Sequence, residues 1–356
     1  MTAEGMPQAL PEAADGIAVE FDKVNIVFGD HPERALPLMD QGLSRSEIQE
    51  RTGQILGVHD CSLTVSRGEI LVLMGLSGSG KSTLLRAVNG LNPICRGKVT
   101  IHDEGWSCEV GSAAAPDLLR VRRECVAMVF QQFGLLPWRT VAENVGLGLE
   151  LGGMSAEARR PKIAEQLALV GLSDWADRKV GELSGGMQQR VGLARAFATD
   201  APILLMDEPF SALDPLIRTR LQDELLELQD KLRRTIIFVS HDLDEAFKIG
   251  NRIALMEGGR IVQCGTAREI IARPASDYVA DFVAHMNPLG VLRASDIMQP
   301  APTRAPNTPE VHPEASIREV MERLREVPAV AVTRGGRTLG RISREGVLAR
   351  LLDPRG

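Results

Sequence analysis

A glycine-rich stretch near residue 80 has the composition of a loop that binds phosphate. Residues 75–83 read GLSGSGKST, matching the pattern GxxxxGK[ST], and they stand between an apolar run and a predicted helix over residues 84–88. Glycines let backbone N–H groups turn around an anion, a lysine neutralises charge on the β- and γ-phosphates, and a hydroxyl can bind Mg²⁺. The stretch therefore predicts a nucleotide-phosphate site formed by Gly75, Ser77, Gly78, Ser79, Gly80, Lys81, Ser82 and Thr83.

Two carboxylates follow a second apolar run. Residues 203–206, with the sequence ILLM, predict a buried strand, and Asp207 and Glu208 come directly after it. In α/β sheets, ligands bind at the carboxyl ends of the strands, and the phosphate loop also follows a predicted strand. The two carboxylates are therefore expected beside the phosphate loop. Asp207 is the candidate Mg²⁺ ligand. Glu208 is the candidate base that orients or deprotonates an attacking water during hydrolysis of the γ-phosphate.

A second helix start suited to an anion lies at Ser184, Gly185 and Gly186, before the helical run 191–198. With two such helix starts, one chain either binds two nucleotides or shares each nucleotide with a second chain. The spacing of the motifs does not choose between these arrangements.

The elements around these residues predict an α/β protein. Short apolar runs at residues 69–74, 126–130, 203–206 and 235–239 alternate with helical patterns, as buried parallel strands do. A charged insert at 30–56 contains Ser44 and Glu47 at the spacing of a capping box, which predicts a helix there. The proline-rich stretch 299–310 predicts a linker, and 311–356 predicts a small α+β piece.

Composition excludes several classes of function. The chain has 356 residues and a net charge of 41 − 47 = −6, which disfavours binding to nucleic acid. Its five cysteines include no CxxC pair, so neither a zinc site nor a disulfide framework is indicated. The apolar runs are shorter than the ~18 residues that cross a bilayer. Residues 1–16 are acidic and predicted to be flexible.

Four motifs in order resemble the ATP-binding subunit of ATP-binding-cassette (ABC) transporters. They are residues 75–83 (Walker A), 183–188 (LSGGMQ, the signature), 203–208 (Walker B) and the Ser240-His241-Asp242 segment. The resemblance implies an ABC ATPase domain over 17–290. Its expected parts are a P-loop NTPase core with a parallel sheet, an antiparallel β subdomain, and a helical subdomain at about 110–190.

The same resemblance implies ATP and Mg²⁺ as cofactors and gives roles to further residues. Gln131 would sense Mg²⁺ and γ-phosphate, His241 would contact the γ-phosphate, and Asp214 would lie in the loop that crosses a dimer interface. Phe28 stands where the family stacks an aromatic ring on adenine, with Phe21 or plain core packing as the alternative.

The resemblance also implies partners. Two chains would form a homodimer that sandwiches two ATP molecules, with Ser184, Gly185 and Gly186 of one chain facing the nucleotide held by Lys81 of the other. Membrane permease subunits would dock near Gln131, which implies a location on the cytoplasmic face of a bacterial inner membrane. A periplasmic or lipid-anchored solute-binding protein would act indirectly. An exporter subunit, or a non-transport ABC ATPase acting on DNA or ribosomes, is the alternative.

A closer resemblance is to the quaternary-amine importers of the glycine betaine and choline group, which share the 30–56 insert. The segments FGDHPERA at 28–35 and DPLIRT at 214–219 carry it. Residues 131–140, QQFGLLPWRT, look most like the choline transporter ATPase, so choline is the expected solute and glycine betaine or proline betaine the alternative. The tail is similar to a single CBS repeat (cystathionine-β-synthase type). It carries Gly346 at the ribose-binding Asp position of that repeat, which leaves open a structural or dimerising role.

Overall fold

The computed structural model of the chain describes residues 16–131, 134–211, 213–284, 291–301 and 308–352. The predicted flexible N-terminus, up to residue 15, lies outside these ranges. The chain divides into two compact units. The first comprises Met1–Glu69, Ser82–Ala212 and Glu227–Ile237, and the second comprises Ile70–Lys81, Leu213–Leu226 and Phe238–Gly356, each in its described residues.

Strands and helices alternate along most of the described chain. The strands are β1 Ile17–Phe28, β2 Ile55–Ser66, β3 Ile70–Met74, β4 Arg96–Asp103, β5 Trp106–Glu109, β6 Val126–Val129, β7 Ile203–Asp207, β8 Thr235–Val239, β9 Arg252–Glu257, β10 Arg260–Gly265, β11 Gln299–Pro300, β12 Glu310–Val311, β13 Ala329–Arg334 and β14 Arg337–Ser343. The helices are α1 Leu36–Asp40, α2 Arg45–Thr52, α3 Lys81–Leu85, α4 Ala115–Arg120, α5 Val141–Val145, α6 Leu147–Leu151, α7 Ala156–Leu169, α8 Gly185–Ala198, α9 Pro215–Leu232, α10 Leu243–Ile249, α11 Ala267–Ala272, α12 Asp277–Val283, α13 Ala294–Ile297, α14 Ile317–Leu324 and α15 Arg344–Leu352. No helix in the described ranges is both long and apolar enough to cross a membrane.

The first unit contains the antiparallel sheet that the family resemblance implies. Its strand order is β2-β1-β4-β5, and β1 and β2 pair along almost their whole length. Four consecutive residues are buried in each of these strands, 24–27 in β1 and 56–59 in β2, so both faces of the sheet are covered there.

The 30–56 insert is packed onto this sheet. As predicted, Ser44 begins α2 with a capping box, in which its hydroxyl accepts from the Glu47 N–H and the Glu47 carboxylate accepts from the Ser44 N–H. Ile48 is fully buried in a cluster with Val27, Met39 and Leu56, among others. The insert therefore has its own small core, shared with β1 and β2.

Strands β6 and β7 of the first unit pair in parallel, with Val129 opposite Met206. Every residue of β7 is buried, which explains its unbroken apolar sequence. The predicted helical subdomain is present as α5 to α8, whose shared core includes Val141, Leu167 and Val191. Helix α7 ends at Leu169, and the chain turns at Gly171, where φ is +68°.

The second unit contains β3, which pairs in parallel with β9, and β10, which pairs antiparallel with β9. Strand β8 is divided between the units after Ile237. The tail forms a separate four-stranded sheet, β11-β14-β13-β12, with α14 and α15.

Two sequence predictions differ from the structure. The helix after the phosphate loop spans only Lys81–Leu85, because the N–H groups of Ala87 and Val88 bond three residues back and the chain turns at Gly90, where φ is +66°. The stretch 299–310, predicted as a linker, has strand at both ends: Gln299 and Pro300 pair with β14, and Glu310 and Val311 pair with β13. Residues 302–307 of that stretch lie outside the described residues.

Candidate functional site

The phosphate loop begins where β3 ends, in the second unit. Gly75 has a φ of +143°, and a Cβ atom there would lie 2.1 Å from the carbonyl oxygen of Met256, so only glycine fits. Gly78 and Gly80 also have positive φ angles. The buried Lys81 donates from Nζ to the carbonyl oxygens of Gly75 at 2.9 Å and Leu76 at 3.0 Å. The loop is thus folded around a single ammonium group.

Ser82 and Asp207 are brought together in the first unit. The Ser82 hydroxyl donates to Oδ1 of Asp207 at 2.6 Å, and Asp207 is 1% exposed. Arg86 donates to the other carboxylate oxygen from Nε at 3.1 Å and from Nη2 at 2.8 Å. Sequence reasoning missed Arg86, although its position four residues after Ser82 was a usable signal, because residues i and i+4 lie on one side of a helical turn.

Gln131 and Glu208 also meet. Each stands two residues beyond the last paired residues of β6 and β7, Val129 and Met206, and Gln131 Nε2 donates to Glu208 Oε2 at 3.3 Å. Glu208 has a φ of +47°, which is strained for a residue with a side chain. Its carbonyl oxygen accepts hydrogen bonds from both the N–H and the hydroxyl of Ser211. The turn after β7 therefore holds Glu208 in an unfavourable backbone conformation beside Gln131.

The structure also brings Phe28 close to the phosphate-loop residue Thr83. A Cβ atom on Gly57 would lie 2.9 Å from Cε2 of Phe28 and 3.0 Å from Cγ2 of Thr83. The ring of Phe28 is partly exposed, at 36%, whereas Phe21 is 2% exposed and belongs to the core. Of these two aromatic residues, Phe28 is the one that a ligand could reach.

Ser184 is the N-cap of α8, and its hydroxyl accepts a hydrogen bond from the N–H of Met187 at 3.4 Å. Ser184 and Gly185 are exposed. The helix of 14 residues thus begins at the surface of the unit, where the positive end of its dipole is accessible. Such a helix start can receive an anion that another molecule carries.

His241 is exposed in the second unit, between β8 and α10. Its neighbours are fixed by polar contacts: Asp242 caps α10 through the N–H of Glu245 at 3.1 Å and accepts from Arg218 Nη1 at 2.9 Å. The Asp214 carboxylate caps α9 through the N–H of Ile217 at 3.1 Å. Sequence reasoning did not identify Arg218 or Glu245 as parts of this site. The available signal was the spacing of Asp242 and Glu245, which is typical of a residue that caps a helix.

Glu245 is a buried acid beside this histidine turn. It is 6% exposed and accepts hydrogen bonds from the Ser240 hydroxyl and from Gln222 Nε2. Burial raises the pKa of the Glu245 carboxyl above its ordinary value, and the two hydrogen bonds oppose that shift.

The donor set around Ser82 fits Mg²⁺. A hydroxyl and a carboxylate are hard oxygen ligands, and Mg²⁺ in nucleotide sites is bound by one or two carboxylates together with phosphate oxygens and water. Among the described residues there is no group of three or more His, Cys, Asp and Glu side chains that could hold a metal ion. The five cysteines are all thiols, and burial raises the pKa of Cys125 to about 11.

Comparison with known proteins agrees with this geometry. The family model described as ABC transporter matches residues 58–211. The glycine betaine/proline betaine transport system ATP-binding protein ProV of Escherichia coli is 46% identical over 345 residues, which cover 96% of this chain and 84% of the relative. The chain belongs to the ATP-binding subunits of ABC transporters.

Other relatives of this ABC ATPase extend the comparison. The glycine betaine/carnitine transport ATP-binding protein GbuA of Listeria monocytogenes is 49% identical, over 79% of this chain and 70% of the relative. The dimeric structure of a post-hydrolysis state of the ATP-binding cassette MJ0796, bound to ADP and Pi, has a TM-score of 0.58 and 31% identity, over 70% of this chain and 99% of that one. The predicted P-loop fold of an ABC ATPase and the predicted ATP hydrolysis are thereby confirmed.

Proposed function

We propose that this ABC ATPase uses the residues described above to power uptake of a small quaternary amine. The observation that supports the catalytic part best is the contact between Gln131 and Glu208 at the ends of β6 and β7, 3.3 Å apart. A glutamate held at that place, on a strained backbone, can orient a water for attack on a γ-phosphate.

Each remaining residue has a distinct task in this proposal. Lys81 and the N–H groups of the glycine-rich loop hold the β- and γ-phosphates, while Ser82, Asp207 and Gln131 hold Mg²⁺. The bound Mg²⁺ supplies positive charge that offsets the charge developing on the phosphate oxygens. Arg86 fixes the Asp207 carboxylate, His241 contacts the γ-phosphate, and Phe28 stacks on adenine. Glu208 holds the attacking water and receives its proton.

The exposed start of α8 supports a shared site. In our proposal the chain forms a homodimer in which Ser184, Gly185 and Gly186 of one protomer bind the γ-phosphate of the ATP held by its partner, with Asp214 near the interface. The MJ0796 cassette, which is similar to 70% of this chain, is described as a dimer. Binding of ATP would then favour the closed dimer, and hydrolysis would release it.

A groove in the first unit supports docking of a permease. Its volume is about 380 Å³, and its lining includes Leu91, Met128, Phe130 and Leu151. Leu91 is 50% exposed and Leu151 is 62% exposed, an arrangement typical of a surface that another protein covers. Phe130 precedes Gln131 in the chain, so movement of the groove would reach Glu208 directly. The permease would hold this ATPase at the cytoplasmic face of the inner membrane and receive solute from a solute-binding protein.

The relatives favour glycine betaine as the solute. The E. coli and L. monocytogenes proteins are both named for glycine betaine, with proline betaine or carnitine. Choline, the first expectation from residues 131–140, stays a prediction and is the second candidate.

The deciding experiment is solute uptake in the native host. We expect a strain lacking the gene to lose uptake of labelled glycine betaine, and wild type but not Glu208→Gln to restore it. Competition with unlabelled choline tests the second candidate. Restoration of choline uptake alone would replace the solute, whereas restoration by Glu208→Gln would refute the catalytic assignment. If neither uptake responds to the gene, the transport proposal fails.

The tail is proposed to be a single CBS-like regulatory piece. Its fold of strands β11 to β14 with α14 and α15 is the support, and Gly346 lies in the first turn of α15, where the resemblance places an Asp. Deleting the chain after Gln299 should change the dependence of uptake on ionic strength. An unchanged dependence would contradict a regulatory role.

A further inference from the structure

The insert reaches the nucleotide site through a bulge in β2. In the pairing of β1 with β2, Ile26 is opposite Val58 and Val27 is opposite Leu56, so Gly57 has no opposite residue. A bulge of this kind leaves the backbone groups of the extra residue outside the ladder. Here the Gly57 carbonyl oxygen accepts a 2.7 Å hydrogen bond from Nη2 of Arg45, the first residue of α2. The insert therefore supplies a hydrogen bond at the bulge.

The other side of Gly57 faces the residues expected to bind nucleotide. The position of a Cβ atom on Gly57 lies about as close to the ring of Phe28 as to the methyl of Thr83, at 2.9 and 3.0 Å. These separations leave no room for a side chain, so the backbone of Gly57 itself packs against both residues. Arg45, Gly57 and the Phe28 ring thus form a continuous series of contacts.

The placement of Arg45 is not explained by helix stability. A cation in the first turn of a helix is disfavoured by the helix dipole, and Arg45 occupies the first helical position of α2. The capping box at Ser44 and the buried Ile48 hold the start of α2 in place, and Arg45 is the first residue of that helix. The insert presents this arginine to the bulge.

We propose that Arg45 is a positioning residue for the purine base of ATP. By holding the Gly57 carbonyl, it keeps the bulge in the shape against which the Phe28 ring packs, and the ring is then oriented for stacking. The inference rests on the proposed role of Phe28. It also gives the 30–56 insert a task in nucleotide recognition, for which its sequence alone provided no evidence.

The test compares ATP with UTP on the full-length chain, because a pyrimidine offers less stacking area than a purine. Arg45→Met removes the donor but keeps an unbranched apolar side chain, and Arg45→Lys retains a donor. The exposed Arg51, at the other end of α2, provides the matched control Arg51→Met. For each variant, the Kd and KM for both nucleotides and the kcat for ATP are measured.

The Arg45→Met variant should bind ATP about fivefold more weakly than wild type, because it loses part of the stacking contact. Its binding of UTP should weaken by less than about twofold. The kcat at saturating ATP should stay within about twofold of wild type, because the phosphate groups are still held. Arg45→Lys should recover part of the ATP affinity, and Arg51→Met should match wild type. Equal weakening of ATP and UTP, a fall in kcat alone, or no change would each overturn the inference. The ratio of the two Kd values does not depend on the fraction of folded protein.

Phe28→Ala separates failure of the inference from failure of the proposed function. If Phe28→Ala removes the preference for ATP over UTP and Arg45→Met does not, Arg45 has no positioning role. If Phe28→Ala leaves the preference unchanged, the stacking assignment itself is wrong.

Discussion

The hydroxyl of Ser82 donates a 2.6 Å hydrogen bond to the carboxylate of Asp207, although 125 positions separate the two residues in the chain. The contact places the start of α3 against the end of β7. The two side chains form an oxygen pair suited to Mg²⁺, and Arg86 fixes the carboxylate from the other side. The end of β7 that positions Asp207 also positions Glu208, which meets Gln131 beyond the end of β6.

Asp207→Asn should remove the Mg²⁺ dependence of ATP binding. Wild type should bind ATP more tightly with Mg²⁺ than with EDTA, whereas the variant should bind equally under both conditions, and its turnover should fall by about 100-fold or more. Titration calorimetry measures the first effect and phosphate release the second. Asp230→Asn, at an exposed position of α9, is the charge-matched control. A variant that keeps its response to Mg²⁺ would show that Asp207 is not a ligand.

Glu245→Gln should change how stability depends on pH. The folded-state pKa of Glu245 is raised, so the stability that its neutral form contributes is fully present below the unfolded pKa of about 4.3 and is lost as the pH rises through the folded pKa. The amide cannot ionise and keeps a similar shape. The free energy of unfolding of the variant, relative to that of wild type, should therefore increase as the pH rises. The increase should be about 1.4 kcal/mol for each unit by which the pKa of Glu245 is raised.

Urea unfolding between about pH 4.5 and about pH 8 measures that difference. Glu165→Gln, at an exposed position of α7, is the control for the chemical change itself. A constant difference between Glu245→Gln and wild type across the pH range would contradict the prediction.

Local patterns were sufficient to predict most of the elements. The apolar run at β7 indicated a buried strand because all five of its residues are inside, and Ser44 with Glu47 indicated the start of α2 because a capping box is formed within four residues. The GxxxxGK[ST] stretch indicated the phosphate loop because the motif includes the glycines that its backbone angles require.

Contacts between distant segments were not predictable in the same way. The bulge at Gly57 and its bond from Arg45 depend on the register of two strands, which the sequence of either strand does not reveal. Helix α3 ends at Leu85 because turns compete with helix formation beyond it. The apolar pattern of residues 84–88 fits a helix whether or not these turns form, so it did not indicate where the helix ends. The proline content around Pro300 predicts a linker, but Pro300 lies on β11, at the edge of the tail sheet, where proline is tolerated.

Gly75→Ala should be more harmful than Gly42→Ala. Both glycines have positive φ angles, but no atom lies within 4 Å of a Cβ atom at Gly42, whereas the Met256 carbonyl lies 2.1 Å away at Gly75. Gly42→Ala should cost about 1 kcal/mol of unfolding free energy, and Gly75→Ala about 2 kcal/mol or more together with at least tenfold weaker ATP binding. Equal effects on stability and ATP binding would show that the loop can open to accept a side chain.

A mixed dimer can test whether the two protomers share each site. When one protomer carries Ser184→Arg and its partner carries Glu208→Gln, a shared arrangement leaves one site with an intact Ser184 and an intact Glu208. That dimer should recover up to about half of the wild-type rate of ATP hydrolysis, while both parent homodimers stay inactive. Differently tagged chains purified through both tags provide the sample. Independent sites would leave the mixed dimer as inactive as its parents.

Glu208→Gln tests the central claim most directly, because it removes the base and keeps the size of the side chain. The full-length variant should bind Mg²⁺-ATP with a Kd within about threefold of wild type, while its turnover falls by at least about 100-fold. Light scattering should show a dimer in ATP and a monomer in ADP, since ATP that is not hydrolysed keeps the shared sites closed. Turnover near the wild-type rate would contradict the role of Glu208, and a monomer in saturating ATP would contradict the shared site.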